Sequence, residues 1–364
     1  MKLRAIASAP ILAALLLALA VSIVWAANSP IDDPYSTLNT TWNGTSGLAE
    51  RGFLAVKEDL AKALSSTSVV DVILIVGPVR EFTKSEANSI ANFVRRGGLL
   101  IVADNLGSGN GLLDLLELPV RFDGRLLIDP LFYQKQPLFP VVSDFVPSEF
   151  STGVDKLLLD YATVLNVTAG DRVTVLARSS PFSFLDSNRD GRKNPQEPSG
   201  PFPILAELRL GEGTVMLFTS PASFANGLVD ESNNDILVQN IAEHASESGH
   251  RSVLLLDQTH LQPSPFTPAK LMARQLVISV IEGGMGLSGK LGLVAIAIMV
   301  ITARYICRRP RAEKPEKIER SHTNRSMDVN SVLRLHPTWD RKTLEYVASE
   351  LEASMKWRRL SEKE

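Results

Sequence analysis

The chain has 364 residues, 45% of them hydrophobic and 21% charged, with a formal net charge of −2. That is enough apolar material for one sizeable core or two modest ones, which excludes a disordered chain. A single cysteine, Cys307, excludes an intramolecular disulfide and a cysteine-based zinc site. The acidic excess of residues 28–289 argues against nucleic acid as a partner, whereas the tail after Ala303 is basic.

Residues 1–27 place Lys2 and Arg4 before an apolar run of roughly the twenty residues that a membrane span needs. Val24 and Ala26 also fit the −3 and −1 positions of a signal-peptidase site, so an N-terminal transmembrane anchor and a cleaved signal peptide both remain open. The second apolar run, Leu291 to Ile306, is followed by Arg308, Arg309 and Arg311, a positive-inside pattern. Residues 285–307 are therefore expected to form a transmembrane helix. The expected location is the cell membrane, double-pass, with both termini cytoplasmic and residues 28–284 extracellular, or single-pass if the first segment is cleaved.

Residues 34–47 have loop chemistry and carry sequons at Asn39 and Asn43, with a third at Asn166. From Thr45 or Ser46, the spacing of Leu48, Phe53, Leu54, Val56, Leu60 and Leu64 predicts one amphipathic helix. Val69–Val76 is β-branched and apolar throughout, the pattern of a strand buried on both faces. Thr83-Lys-Ser-Glu86 reads as a capping box, opening a helix with Ile90, Phe93 and Val94 inward that stops at Gly97-Gly98. Leu99–Ala103 is a second buried strand, and the three pieces make a βαβ unit. Gly107-Ser-Gly109-Asn-Gly111 follows, but it lacks the G-x-G-x-x-G spacing and reads as an ordinary βα turn, not a nucleotide site.

Farther along, short β-like pieces at Arg125–Ile128 and Pro140–Val142 precede two expected strands, Leu157–Leu165 and Val173–Ala177. Pro203–Leu208 and Thr214–Phe218 flank Gly211-Glu-Gly213 as a hairpin. Asn233-Asn-Asp235 caps a helix from Ile236 to Ser246, with His244 off its apolar face and expected in solvent. Ser252–Asp257 is a last strand ending near His260, and a helix from Thr267 through Leu271, Leu276 and Ile281 follows. Residues 308–326 read as a linker, and 338–357 as an amphipathic helix of the cytoplasmic tail, open to a protein partner or to the membrane surface, with the mixed-charge polar face favouring the protein partner.

The one motif with a definite chemistry is Asp186-Ser-Asn188-Arg-Asp190-Gly191-Arg192-Lys-Asn194-Pro-Gln-Glu197, which matches the twelve-residue calcium loop at each specified position. Asp186, Asn188, Asp190 and Glu197 would supply side-chain oxygens, Arg192 its carbonyl, and Asn194 would act directly or through water. Pro195 and Pro198 exclude a helix leaving the loop, so the calcium is expected to be structural. Such a loop needs calcium-rich surroundings, in keeping with an exported domain.

Pro34-Tyr-Ser-Thr-Leu, Gly97-Gly98-Leu-Leu-Ile-Val, Phe184-Leu-Asp186 leading to Asp190-Gly191, Gly200-Pro-Phe-Pro203, Gly211-Glu-Gly213 and Asn226-Gly227 occur in an order that resembles a prokaryotic membrane-anchored family, a domain of unknown function. The resemblance spans about residues 34–260. It implies a fold like the class I glutamine amidotransferase domain, and kinship with auxiliary proteins of gliding-motility-type ABC transporters or of MoxR-type AAA ATPases. Amidotransferase chemistry needs a cysteine nucleophile, and the elbow after Val102 reads Ala-Asp104-Asn-Leu, so thiol catalysis is excluded.

The expected fold is α/β and flavodoxin-like, a mostly parallel sheet with helices on both faces, flanked by two transmembrane helices. The expected function is a membrane-anchored, non-catalytic accessory or scaffold with a calcium-stabilised extracellular domain. The alternative is a cell-surface hydrolase with a non-cysteine site near Asp257 and His260.

Overall fold

The structure is a computed structural model that describes residues 18–66, 70–246 and 253–282. Its centre is an eight-stranded sheet built from β1 (Phe53–Val56), β2 (Val72–Val76), β3 (Leu99–Ala103), β7 (Asp144–Phe145), β10 (Thr174–Arg178), β12 (Pro203–Leu210), β13 (Gly213–Phe218) and β14 (Leu254–Asp257). The spatial order is β1-β14-β2-β3-β13-β12-β10-β7. Neighbours from β1 to β13 run parallel, and those from β13 to β7 antiparallel. The remaining strands form three small ribbons: β4 (Val120–Phe122) with β9 (Leu165–Val167), β5 (Leu126–Ile128) with β11 (Phe184–Asp186), and β6 (Val141–Val142) with β8 (Leu157–Leu158).

The central strands are apolar throughout because both of their faces are covered. In β2, Val72, Leu74 and Val76 enter one core while Ile73 and Ile75 enter the other. The second of these cores is roofed by α2 (Leu60–Ser66), α3 (Lys84–Arg95) and α4 (Asn110–Leu115). The first is covered by α5 (Asn234–Ser246), through Leu237, Val238 and Ile241, together with the connections between β5 and β10. At the expected capping box, the Glu86 backbone N–H donates to Thr83 Oγ1, and Thr83 N–H donates to Glu86 Oε2. The last helix, α6 (Thr267–Glu282), is fastened to the N-terminal segment: Arg274 donates to the carbonyls of Ala27 and Ser29, and Thr267 Oγ1 donates to Asp33.

The sheet and the flanks both depart from expectation. The sheet is mixed, not flavodoxin-like, because the tight turn at Gly211 (φ 68°) joins β12 antiparallel to β13, and the β12–β10 and β10–β7 pairs are antiparallel as well. Flanking transmembrane helices are not found: among the described residues no helix is long and apolar enough to cross a membrane. At 16 residues and with Lys270 and Arg274 on it, α6 falls short of the roughly twenty apolar residues required. The expected span at 285–307, the tail at 308–364 with its helix at 338–357, and residues 1–17 lie outside the described residues.

Two further expectations are corrected. The helix expected from Leu48 to Leu64 is α1 (Ser46–Glu50), then β1, then α2, because Gly52 turns the chain at φ 93° and frees Phe53–Val56 to pair with β14. The strand expected at Leu157–Leu165 is two short pieces, β8 and β9, separated by a turn at Asp160 and Tyr161, where Tyr161 adopts φ 45°.

Candidate functional site

The residues expected to hold calcium lie in a loop that leaves β11 and is closed at its neck by Leu185 N–H to Pro198 O and Gly200 N–H to Ser183 O. Asp186, 3% exposed, accepts from Asp190 N–H with one oxygen (3.2 Å) and from Gly191 N–H with the other (2.9 Å). Glu197 closes the far end, accepting from Ser187 N–H at 2.8 Å and Asn194 N–H at 2.9 Å. Between them Asp190 accepts from Asn188 Nδ2, from Asn194 Nδ2 and from the backbone of Arg192. Gly191 supplies the sharp turn at φ 72°, and no helix follows, as the prolines require.

The N–H groups hold the Asp190 and Glu197 carboxyls below their usual range, led by Arg192 N–H for the first and Asn194 N–H for the second. Both are anionic at neutral pH. The donors are all oxygen, which suits calcium, and a carboxylate accepting two hydrogen bonds keeps lone pairs for a cation. Among the described residues, however, no three side chains of the His, Cys, Asp or Glu type are gathered closely enough to hold a metal ion. As it stands, the loop is a hydrogen-bonded turn with a calcium-compatible donor set.

The alternative site also forms as a cluster. His260 is 3% exposed, with Nδ1 2.7 Å from Asp257 Oδ2, Nε2 3.6 Å from Glu86 Oε1, and its ring stacked 3.6 Å from that of Phe82. Thr259 donates to the other Asp257 oxygen through its backbone N–H and its Oγ1. Nδ1 faces Asp257 with Thr259 Oγ1 also 3.0 Å away, Nε2 faces Glu86, and Phe82 covers one ring face; among the described residues no hydroxyl is bonded to Nε2, the nitrogen opposite Asp257 where a triad needs its nucleophile. The cluster ties the end of β14 to the start of α3. His244, expected in solvent, is partly exposed, and its Nδ1 lies 2.9 Å from Oε2 of the exposed Glu149.

A third grouping was not expected from the sequence. It lies at the C-terminal ends of the parallel strands, the edge where open α/β sheets carry their ligands. Asp104, directly after β3, is 1% exposed; its carboxylate accepts from Leu106 N–H at 3.0 Å and Gly109 N–H at 2.7 Å. The glycine-rich turn therefore wraps a carboxylate of its own chain. Burial nevertheless pushes the Asp104 carboxyl up, against the pull of those N–H groups.

Asp160 comes from the β8–β9 break, and its N–H donates to Ser220 Oγ just after β13. Among the described residues Asp160 Oδ1 and Thr219 Oγ1 are buried without a hydrogen-bond partner, a state that costs about 1–3 kcal/mol for each such group. Burial pushes the Asp160 carboxyl up to about 6. The Tyr35 phenol is raised as well, by burial first and then by the charges of Asp160 and Asp104. Its ring lies on Gly77 at the end of β2, where a Cβ would be 2.3 Å from Tyr35 Cε2. The available sequence signal was Asp160 itself, a charge inside an otherwise apolar run. Nothing local marked Tyr35 or Thr219.

The family model described as Domain of unknown function (DUF4350) matches residues 37–242. No curated protein matches the chain. Among solved structures, the chain is similar to the N-terminal domain of mmIFT52, at 18% identity over 54% of this chain and 87% of that one, with a TM-score of 0.42. It is similar to a ThuA-like protein from Bacteroides uniformis at 13% identity, over 53% and 76% of the two chains, with a TM-score of 0.35. For a β-galactosidase from Bacillus circulans sp. alkalophilus the identity is 15%, the shares are 45% and 22%, and the TM-score is 0.27. These likenesses are too distant to carry a functional argument.

Proposed function

We propose, for a chain that belongs to the family described as Domain of unknown function (DUF4350), a non-catalytic accessory role in which calcium clamps the connection between β11 and β12. The observation that carries this reading is the Asp186–Glu197 loop, whose two end carboxylates each accept two backbone N–H groups from inside the loop while its donor set stays all oxygen. A single loop with three carboxylates suits an affinity of about 10⁻⁴–10⁻³ M, which matches calcium-rich surroundings outside the cytoplasm. The non-catalytic part is supported by His260, held between Asp257 and Glu86, and by Asp104 at the elbow, both of whose oxygens are tied to backbone. The finer kinship, to amidotransferase-like auxiliary domains of transporter or AAA ATPase systems, is part of the same proposal and rests on the motif order from Pro34 to Asn226-Gly227.

The test is thermal unfolding of the protein in a calcium titration. With a Kd of about 0.5 mM, 5 mM calcium adds about 1.4 kcal/mol, or a rise of roughly 3–5 °C in Tm for a domain of this size. Magnesium at the same concentration is expected to do less, because it tolerates irregular oxygen cages poorly. No rise with calcium, or an undiminished rise in Asp190→Ala, sinks the reading.

A further inference from the structure

The connection between β5 and β8 contains a hairpin that turns apolar rings to solvent. Tyr133 is bridged antiparallel to Pro140, with Val141 N–H donating to Phe132 O and Gln134 N–H to Phe139 O. Strand alternation therefore puts Phe132, Gln134, Phe139 and Val141 on one face of the hairpin. Rings from two other connections join that face. Phe182, from the turn before β11, stands 6.2 Å from Phe132, and Tyr161, from the β8–β9 break, stands 6.4 Å from Phe139. Phe132 is 48% exposed, Phe182 53% and Tyr161 45%, with the neighbouring Leu131 at 61%.

The backbone beneath these rings is fixed by one buried carboxylate. Asp129, 1% exposed, accepts from Leu131 N–H and Phe132 N–H through Oδ1 and from Ser180 Oγ through Oδ2. It thereby ties the hairpin to the turn that carries Phe182. At the other end of the face, Tyr161 N–H donates to Leu138 O. Rings displayed on a backbone that is already ordered lose little further freedom when a partner covers them.

We infer that this face is covered by the same face of a second copy of the chain, in a two-fold dimer. Size and charge decide the occupant. At about 150–250 Å² for a whole aromatic side chain, three half-exposed rings with Leu131 and part of Phe139 present roughly 400 Å² of apolar surface. A stable interface buries about 800 Å² on each partner, a little over half of it apolar, so about 450 Å² is what a dimer needs. In a two-fold interface the patch meets itself, so a charge near its centre would face its own sign. From Leu131 to Ser143 the one charged residue is Lys135, at the hairpin tip, and Glu231 borders the face there by accepting from Gln134 Nε2. The bordering charges are opposite in sign and the centre has none. Phe and Tyr with little charge is the composition of an interface core, and it gives an ionic partner nothing to pair with. The inference is independent of calcium binding at Asp186–Glu197.

The experiment uses the full chain carrying Cys307→Ser, so that an introduced cysteine is the only thiol. Phe132→Cys and Phe182→Cys are treated with a short bis-maleimide across a protein dilution series. Leu54→Cys, comparably exposed on β1 at one end of the sheet, is the control. The expected result is a covalent dimer from Phe132→Cys and from Phe182→Cys, and none from Leu54→Cys. Sedimentation equilibrium is expected to show a reversible dimer, weakened on the order of thirtyfold in Phe132→Ser/Phe182→Ser, as for the loss of central aromatic anchors. Tyr161→Ser, at the other end of the face, supplies a second weakened dimer if the double variant does not fold. A monomer at every concentration, equal cross-linking through Leu54→Cys, or a dimer unweakened in these variants overturns the proposal. So does flotation with phosphatidylcholine vesicles that the double variant loses, from a chain that never dimerises, because the face then meets lipid.

Discussion

Glu86 serves His260 and its own helix at once: Oε2 accepts from Thr83 N–H at the start of α3, while Oε1 lies 3.6 Å from His260 Nε2. One side chain thereby joins the first turn of a helix to the residue that follows the last strand. The two roles separate by substitution. Glu86→Gln keeps a capping acceptor and is expected to change stability by less than about 0.5 kcal/mol. Glu86→Ala loses the cap and is expected to cost about 1 kcal/mol. His260→Ala is expected to cost about 2–3 kcal/mol, because it opens a hole beneath Phe82 and takes a partner from the buried Asp257. Urea unfolding of the three variants checks the order, and a Glu86→Gln loss equal to that of Glu86→Ala contradicts it.

The capping box, the βαβ unit and the hairpin at Gly211 were all legible in the sequence because each is built from consecutive pieces of chain whose own patterns and turns mark them. What failed depends on distant partners. Leu48, Phe53, Leu54, Val56, Leu60 and Leu64 keep a helical period, yet Phe53–Val56 finds a place beside β14, some two hundred residues later. Gly52 was the local clue, and a periodic apolar pattern outweighed it. The Asp186–Glu197 ring was legible down to its turn, since the motif encodes its own hydrogen bonds. The grouping of Tyr35, Asp104 and Asp160 was not, because it exists only once three connections converge. Asn39 shows the same limit: it reads as a sequon, but it is fully buried, with Nδ2 donating to Asp33 O and Asn43 Oδ1.

Asn226 fastens the N-terminal loop to the connection after β13. Its Oδ1 accepts from Gly47 N–H at 2.8 Å, and its Nδ2 donates to the carbonyls of Asn39 (3.1 Å) and Thr41 (2.8 Å). Asn226→Ala is expected to lower stability by about 2–3 kcal/mol, since it strands several half-buried backbone groups together. Asn226→Asp retains the acceptor and loses the donors, so it should fall nearly as far. Chemical denaturation measures both, and a loss under about 0.5 kcal/mol in either rejects the account.

Gly77 is required twice over. Its φ of 54° is left-handed, and a Cβ there would meet the Tyr35 ring at 2.3 Å. Gly77→Ala is expected to cost about 2 kcal/mol or more through overpacking and backbone strain. In a Tyr35→Ala background the steric part disappears and only about 1 kcal/mol of strain remains. The double-mutant cycle therefore yields a coupling near 1 kcal/mol or above. Additive losses would mean that the ring does not lie on the glycine in solution.

Asp160 should leave a signature in the pH dependence of stability. Its carboxyl is raised from an ordinary 3.8 to about 6 by burial, so between those values the folded protein holds a proton that the unfolded chain has released. Stability rises with pH only where the unfolded state binds more protons; here it binds fewer, so stability must fall as pH rises from about 4 to about 6 and then level off. Two pKa units correspond to at most about 3 kcal/mol. Asp104, raised in the same direction by burial, adds to that slope. Asp123 has the opposite sign: the Arg125 guanidinium holds its carboxyl down, and the stability it contributes is lost only as the pH drops below the ordinary carboxylate range. A maximum in mildly acidic solution, near pH 4–5, is the expected result. Asp160→Asn removes the Asp160 part of the slope by remaining uncharged at every pH, and it should be more stable than the parent at pH 7 while matching it near pH 4. Urea unfolding from pH 4 to pH 7.5 measures the difference. Parallel curves for the parent and Asp160→Asn would show that Asp160 is not held in a buried, unpaired state.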